Sequence, residues 1–532
     1  MRVAFALFAL LIVGPPSRLE PLRRAADPQE RSAPTPGADL IDALISGEWV
    51  RQGIRPAAPA EDPEFLRRVH LDILGVIPPL DLARRFLEDR RPGKREWLVE
   101  ELLADERYAR NWAGIWEALL IGYDYGVKNE SGDTLLEWLR AEVFAKNLPL
   151  DEMFRRLVSA SGIPQKEGPA VFPWKFARQG GTAEYSVRIA RIFLGAQIQC
   201  AQCHDHPFDK WTQEDFQGVA AFFTRLRVRK VKPDDPKDRE VEVFDAPQGE
   251  AFLGEGKARR KVAPRFLDGS EPAPDEPRRA AFARLASRPG NLAFSRALVN
   301  RMWAHFFGRG LVHPVEEMND RNRPSHPELL DGLAREFAAQ GFDAKWLIRS
   351  ICRSRTYQLA SRRPRAVQVA EDKYLGHALT RAMSPDELFD SIIEATGSEG
   401  RLRAQAKNAP GRTLESIRRD ILRQFRFTFG DDENTDVVDF QGTVPQALMM
   451  LNGEMVQRGL VDRDHRLDLV FRTESDPVRR LELIFLSALA RPPTGRERQR
   501  FSAHIATLHG DRAAYEDVFW TLLNSSEFLF SH

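Results

Sequence analysis

The string QIQCAQCHDHPFDKW places two thiols and an imidazole in the spacing Cys200-x-x-Cys203-His204. The chain of 532 residues has only three cysteines, and the third is Cys352. In c-type haem attachment, two thiols three positions apart add to the vinyl groups of one porphyrin, and the histidine that follows supplies a nitrogen to the iron. The motif therefore predicts a covalent haem c on Cys200 and Cys203, with His204 as the proximal iron ligand.

Three other interpretations of these cysteines stay open. Zinc would be held by Cys200, Cys203 and His206, but no second C-x-x-C closes such a site, so the fourth ligand would have to come from elsewhere. A redox dithiol usually lies at a strand-to-helix turn of a thioredoxin-like α/β pattern, which this sequence lacks. The remaining interpretation is a small structural disulfide.

A second axial ligand to the iron would decide what the haem does. Electron-transfer haems take a second histidine or methionine, whereas an open position allows small-molecule binding or peroxide chemistry. The string NRMWAHFF offers His305 and Met302 as candidate distal ligands. Arg301 and His305 share a helix face at i, i+4, and Met302 lies on a neighbouring face. The alternative for His305 is a packed helix residue with a hydrogen bond at an interface.

The other polar residues near the motif have simpler explanations. His206 is too close to His204 to reach the opposite face of the iron, so we expect it to cap or support the turn. Asp205 and Asp209 either hydrogen-bond an imidazole or cap the adjoining helix. His326 stands at a helix N-terminus and is predicted to be structural. The acidic run DDENTD at 431–436 lacks the glycine and the terminal glutamate of an EF-hand, which indicates a solvated loop.

A basic edge formed by Arg225, Arg227, Arg229 and Lys232 could dock an acidic partner or lie near haem propionates, although a solvated strand face is the default. Cys352 has apolar spacing around it and is predicted to be a buried thiol. The sequence contains no G-x-S-x-G, H-E-x-x-H or phosphate loop, so no local motif favours a hydrolase.

Composition and the first residues indicate where the chain works. Basic and acidic side chains number 78 and 77, which argues against nucleic acid as a partner. The opening MRVAFALFALLIVGPP has an arginine and then a short apolar run, as in an export signal, and residues 1–26 are predicted to be signal and lead. That run is too short to span a bilayer, and no later stretch reaches 18 apolar residues. We therefore expect a periplasmic or extracellular protein, with signal cleavage left open.

Hydrophobic periodicity of 3.6 residues predicts a mainly α fold. The helix of YSVRIARIFLGAQIQC is expected to run into the cysteines and to stop near Pro207. Capping-box spacing at Thr212 and Asp215 predicts the start of the next helix, and Ser325 with Glu328 predicts another. Between the helical halves, RLRVRKV and REVEVFD alternate with period two and predict a β-hairpin.

These patterns predict two helical domains around a small β element. The segments are an export signal and lead at 1–26, a helical cytochrome-like domain at 38–224, a β-hairpin and irregular connector at 225–290, and a helical C-terminal partner domain at 291–532.

Several strings also resemble a known pair of domains. GAQIQCAQCHDHPFDKWTQEDFQGVAAFF, FLRRVHLDILGVIPP and YARNWAGIW resemble the cytochrome-like domain of large secreted planctomycete proteins. LVNRMWAHFFGRGLV, PSHPELLDGLAREF, SRTYQLAS, TVPQALMMLNG and ALARPPTGRE resemble its habitual C-terminal partner domain. Both domains are known mainly as domains of unknown function. The resemblance implies export, a helical fold and haem on Cys200, Cys203 and His204, and it implies no particular reaction.

The function hypothesis that follows is electron transfer or haem redox chemistry on an unknown substrate, with a redox partner protein or polysaccharide-associated proteins as partners. One alternative is a secreted binding or scaffold protein in which the haem or metal is structural. The other alternative is a zinc-dependent hydrolase.

Overall fold

Helices dominate the computed structural model of the chain, so the predicted mainly α fold is confirmed. The structure describes residues 36–122, 130–179, 181–235, 239–254, 256–363, 369–429, 450, 453, 459–460 and 465–532. The acidic run at 431–436 and the export signal at 1–26 lie outside these residues. Within the described ranges, no helix has the length and apolar character needed to cross a membrane.

The first half consists of helices joined by short connections. Its elements are α1 (Pro36–Gln52), α2 (Asp62–Leu74), α3 (Leu80–Glu88), α4 (Lys94–Ala104), α5 (Glu106–Ile121), α6 (Glu130–Trp138) with a π-helical continuation (Leu139–Phe144), α7 (Leu150–Ser159), α8 (Val171–Gln179), α9 (Gly181–Leu194) and α10 (Gln213–Ala221).

Short antiparallel strand pairs come next, followed by helices and by two short strands that form a further antiparallel pair. These elements are β1 (Leu226–Lys230), β2 (Val241–Asp245), β3 (Ala251–Leu253), β4 (Arg260–Val262), α11 (Arg278–Ser287), α12 (Leu292–Phe307), α13 (Pro327–Ala339), α14 (Ala344–Arg353), β5 (Arg381–Ala382), α15 (Pro385–Thr396), α16 (Glu399–Asn408), α17 (Leu414–Phe429), α18 (Arg466–Thr473), α19 (Pro477–Leu489), α20 (Gly495–Thr507), α21 (Arg512–Leu523), α22 (Ser526–Leu529) and β6 (Phe530–Ser531).

Of the two predicted capping boxes, one is confirmed and one is wrong. At the start of α10, the Thr212 side chain accepts from the Asp215 amide, and the Asp215 carboxylate accepts from the Thr212 amide. At α13 the N-cap is His326, and its side chain makes no cap hydrogen bond. The helix therefore starts one residue later than predicted, and the Ser325 hydroxyl donates to the Leu311 carbonyl instead.

The predicted hairpin is present, and the connector after it is more regular than predicted. β1 and β2 pair antiparallel with Val228 opposite Val243. The region up to residue 290 also holds a second hairpin, β3 with β4, and the helix α11. Arg279 of α11 is fully buried and binds Asp245 of β2 through three hydrogen bonds of 2.9 to 3.1 Å, so α11 fastens the hairpin to the helices.

Helix α2 lies between two hydrophobic clusters that fill the interior. The larger cluster contains side chains from residues 41–312, from α13 and α14, and from a few later positions. The smaller cluster is built mainly by residues after 382, and Leu71 of α2 belongs to it. Every residue of α2 from Phe65 to Leu74 is buried, so its polar side chains need partners inside the protein.

Arg67, Arg68 and Asp72 have partners in the second half of the chain. Arg67 donates to the carbonyl oxygens of Ala488 and Phe528, at 3.0 and 2.7 Å. Asp72 accepts from Arg381 at 2.7 Å and from the Tyr357 hydroxyl at 2.6 Å. These contacts hold α2 against elements that lie hundreds of residues away in sequence.

Arg381 also binds Glu387 through two hydrogen bonds of 2.7 and 2.8 Å, and all three charged groups are buried. We call Asp72, Arg381 and Glu387 the buried ion cluster. One guanidinium serves two carboxylates here, so losing it would leave two negative charges buried without a cation.

We expect Arg381→Met to destabilise the fold by about 3–5 kcal/mol, because breaking a buried ion pair leaves uncompensated charge. The control is Arg403→Met, which removes an exposed pair with Glu399 and should change stability by less than about 1 kcal/mol. Urea unfolding midpoints of both variants test this. Equal, small shifts would contradict the role assigned to the cluster.

Acid should destabilise the protein through His70, which is fully buried on α2 and donates from Nδ1 to the Val76 carbonyl at 3.1 Å. Burial lowers the pKa of His70 from 6.5 to about 3. The unfolded chain therefore binds the proton first, and the stability from this group is present above pH 6.5 and falls as the pH drops toward 3. The cost is about 1.4 kcal/mol per pH unit.

His70→Gln keeps a hydrogen-bond donor without the titration, so its urea midpoint should fall less between about pH 6.5 and pH 4.5 than that of the wild type. His504→Gln, at an exposed position, is the control and should retain the wild-type dependence. An unchanged pH dependence in His70→Gln would refute this origin of acid sensitivity.

Candidate functional site

The cysteine motif occupies a single turn between two helices. Helix α9 ends at Leu194, well before the predicted stop near Pro207, because Gly195 adopts the left-handed conformation with φ 63°. A short irregular segment leads to a 3-10 turn, Cys200–Gln202, in which the amides of Cys203 and His204 both approach the Cys200 carbonyl at 3.4 Å. The capped start of α10 closes the segment on its other side.

Burial alternates through this turn in a way that presents the thiols. Ile198 and Ala201 are fully buried and anchor the turn to the larger core. Cys200 and Cys203 are exposed and carry free thiols, whereas Cys352 is buried on α14 as predicted. Two unpaired thiols on one exposed turn are available to react with an electrophile that reaches the surface.

His204 is exposed and has the tautomer that iron ligation requires. Its Nδ1 lies 2.8 Å from the Asp205 carbonyl oxygen. Because a carbonyl oxygen only accepts, Nδ1 carries the proton and the lone pair of the neutral ring is on Nε2. Metal-binding histidines commonly donate their other ring N–H to a carbonyl in this way.

His206 has the opposite arrangement and braces the loop after the motif. Its Nδ1 accepts from the amides of Phe208 and Asp209, at 3.2 and 2.9 Å. The proton of the neutral ring is therefore on Nε2. A zinc ion on Cys200, Cys203 and His206 would need this loop to rearrange. Among the described residues, no group of three or more His, Cys, Asp or Glu side chains is arranged to hold a metal ion.

The nearby carboxylates also serve the backbone. Asp205 accepts from the Gln213 amide at 2.8 Å and so helps to cap α10. Asp209 accepts from the Lys210 amide at 2.7 Å. Each therefore has a local structural partner.

A cavity of about 850 Å³ adjoins the turn, and Cys200 and His206 line it. Most of the rest of its wall comes from α5, α6, α9, α12, α15 and α17 and from the segment after α12, and Leu74 of α2 and Arg381 of β5 also line it. Charged side chains are frequent on this wall, which carries ten arginines, no lysine and nine carboxylic acids among the described residues. The cavity is thus built by both halves of the chain.

The two distal-ligand candidates lie in different surroundings. His305 lines the cavity together with Arg301 and Cys200. Its Nε2 donates to the Asp72 carbonyl at 2.8 Å, and burial, together with the Arg381 charge, lowers the pKa of His305. The ring is therefore neutral at neutral pH, with its lone pair on Nδ1. Met302 is 3% exposed, packs in the larger core and does not line the cavity.

Two family models match the chain in sequence order. The first is PSCyt2, Protein of unknown function (DUF1549), over residues 40–228, and the second is PSD1, Protein of unknown function (DUF1553), over residues 278–505. The chain carries both domains of this planctomycete-type pair. No curated protein and no solved structure matches the chain.

The cavity therefore takes its walls from both domains. The DUF1549 domain contributes the cysteine turn, α5, α6 and α9, and the DUF1553 domain contributes α12, α15 and α17. The buried ion cluster crosses the same boundary, since Asp72 belongs to the first domain and Arg381 and Glu387 to the second. Arg381 and Glu387 also line the cavity, so this cluster supports its wall.

Sequence reasoning missed most of the residues on this wall. Glu117, Arg191 and Glu316 belong to no recognisable sequence motif. They line one cavity only because α5, α9 and the segment after α12 pack together. Arg191 and Arg301 both approach the Glu316 carboxylate, at 3.1 and 3.2 Å, so two guanidinium groups share one negative charge.

Other predicted features lie away from the cavity. The basic edge of β1 has local partners, since Arg229 binds Glu242 at 2.7 Å and Arg227 donates to nearby carbonyls. None of the four residues of that edge lines the cavity. His326 is buried at the N-cap of α13, next to the Ser325 hydroxyl at 3.0 Å, which fits its predicted structural role.

Thiol reactivity should follow this burial in chain produced without haem-attachment machinery. We expect two thiols, Cys200 and Cys203, to react with a maleimide in native buffer, and Cys352 to react only in denaturant, because burial raises the pKa of its thiol and blocks access. Mass spectrometry counts the adducts. Native labelling of Cys352, or none of Cys200 and Cys203 in reduced protein, would contradict the described turn.

Proposed function

We propose that this protein is an exported c-type haem protein that carries out electron transfer or haem redox chemistry. Cys200 and Cys203 form thioether bonds to one haem, and His204 binds its iron. The observation that supports this best is the exposed turn with two free thiols, followed by an imidazole whose Nδ1 donates to the Asp205 carbonyl. When bound, a haem supplies an iron that gains and loses one electron or binds a small molecule at an open position.

The residues around the turn fit such a group. Both thiols are unpaired and lie on the surface, where the attachment reaction can reach them. Ile198 and Ala201 fix the backbone beneath them through burial in the core. Arg191 and Arg301 share the Glu316 carboxylate, which leaves one excess positive charge on the cavity wall beside the turn, suited to a propionate.

For the distal position we favour His305 over Met302. His305 lines the same cavity as Cys200, and its donation from Nε2 to the Asp72 carbonyl leaves the Nδ1 lone pair unprotonated. Met302 is committed to core packing. Zinc chemistry on the same cysteines has less support, since Nδ1 of His206 accepts from two backbone amides and Nε2 carries the proton of the neutral ring.

The decisive experiment is expression of the chain in a host with periplasmic haem-attachment machinery, followed by acid-acetone extraction and a pyridine haemochrome spectrum. We expect the wild type to retain haem through extraction and Cys200→Ala/Cys203→Ala to lose it, because each thioether needs its sulfur. Cys352→Ala is the matched control, since it removes a buried thiol far from the turn in sequence, and it should retain haem.

Wild-type protein that retains no haem, while a known c-type cytochrome from the same host is loaded, would refute the proposal. A pair of histidine variants then separates the ligand roles. His204→Ala should keep covalent haem but change the visible spectrum of the iron, whereas His206→Ala should leave that spectrum unchanged. Bound zinc that is lost in His206→Ala would favour the zinc interpretation instead.

A further inference from the structure

Glu117 stands out among the acidic groups on the cavity wall. It lies on α5, one turn before the helix ends, and makes no hydrogen bond or ion pair with any described residue. Glu117 is half-buried in the cavity wall, and desolvation of its carboxyl group raises the pKa of Glu117 to about 7. Neighbouring acids are paired, since Asp386 accepts from Arg426 at 2.6 and 3.0 Å and Asp133 pairs with Arg419.

The surrounding charges explain why burial dominates. The charged groups on the parts of the cavity wall built by α5, by α6 with its π-helical continuation, by α15 and by α17 are Arg110, Asp133, Glu137, Arg140, Asp386, Glu387, Asp390, Glu415, Arg418, Arg419, Arg423 and Arg426. Lys175 of α8 donates to the Ile121 carbonyl at the end of α5. Arg426 and Arg419 favour the ionised form of Glu117, and Asp386 and Asp133 oppose it. Because these four groups form two ion pairs, their effects on Glu117 largely offset one another.

Such a carboxyl group is suited to proton exchange. Its oxygen atoms are not used by the described residues, and a group that titrates near the working pH can both take up and release a proton. Asp386 differs, because it is held as an acceptor by the Arg426 guanidinium. Two carboxyl groups in contrasting environments within one cavity are typical of sites that bind a ligand and exchange protons with it.

Arginines on the wall indicate the charge of that ligand. Asp390 pairs with both Arg110 and Arg418, so this carboxylate is outnumbered by cations. Arg309 makes no hydrogen bond or ion pair to any residue that the structure describes. Guanidinium groups bind carboxylate, phosphate and sulfate oxygens through paired N–H donors.

Apolar side chains on the same wall favour an organic ligand over a bare inorganic ion. They include Ile115 and Leu119 of α5, Leu136 of α6 and Leu422 of α17. Pockets that bind small organic molecules combine such surfaces with a few polar groups and have volumes of about 300–1,000 Å³. The cavity of about 850 Å³ lies in this range.

We infer that the cavity between the two domains binds a small organic anion bearing a carboxylate, phosphate or sulfate group, and that Glu117 takes up a proton when the anion binds. The ionised carboxylate of Glu117 gains one proton from solvent, and the resulting acid donates a hydrogen bond to an anionic oxygen of the ligand. No other bond forms or breaks. This inference does not rest on haem attachment.

The test is isothermal titration calorimetry on the full chain, with benzoate and phenyl sulfate as probes, because both stay ionised between about pH 6 and pH 8. Measurements in two buffers of different ionisation enthalpy give the number of protons taken up. We expect net proton uptake near pH 7 and an affinity about fivefold weaker at pH 8 than at pH 6, because the anion stabilises protonated Glu117. Which probe binds more tightly separates the carboxylate and sulfate classes.

Glu117→Gln should bind the better probe with little pH dependence and no proton uptake, since an amide still donates a hydrogen bond but does not titrate. Glu142→Gln, which alters an exposed pair with Lys146, is the control and should retain the wild-type dependence. Absence of binding by both probes at about 10 mM, or proton uptake unchanged in Glu117→Gln, would overturn the inference. The wild-type proton count needs no variant, so the test holds even if Glu117→Gln folds poorly.

Discussion

The buried ion cluster of Asp72, Arg381 and Glu387 fixes how helix α2, in the first half of the chain, packs against the second half. Its charges are buried, so each must keep its partner for the fold to be stable. Asp72 is on α2, which is buried along almost its whole length between the two hydrophobic clusters. The Asp72 carbonyl also accepts from His305, so the position of α12 follows from the same contact. A cavity whose wall includes Arg381, Glu387 and His305 is therefore fixed by this cluster.

Local signals in the sequence predicted the elements well, because helix ends and hairpins are decided by neighbouring residues. The Thr212 and Asp215 box and the hairpin of β1 and β2 belong to this class. The helix into the cysteines was predicted too long, because apolar periodicity continues past Gly195 and the sequence does not show that its φ is positive. The predicted N-cap of α13 was wrong, because the Ser325 hydroxyl donates to the Leu311 carbonyl and does not cap the helix.

Local sequence signals did not predict the long-range polar contacts. In FLRRVHLDIL the arginines and the aspartate resemble a solvated helix face, yet all are buried and bind residues from Tyr357 to the C-terminus. Cys200, Cys203 and His204 could be proposed as a candidate site from the sequence because the motif depends on spacing within one turn. The i, i+4 spacing of Arg301 and His305 anticipated two residues on one wall. The cavity itself could not be predicted, since helices and connecting segments from both halves of the chain build it.

The central claim concerns the covalent state of one peptide. Trypsin cleaves after Arg191 and Lys210, so a single fragment, residues 192–210, contains Cys200, Cys203 and His204. The measurement is the mass of this fragment, without reduction, from protein matured in a host with haem-attachment machinery. The account predicts the peptide mass plus one haem, with no free thiol. A fragment with two free thiols or an internal disulfide, from a host that loads a control cytochrome, would contradict it.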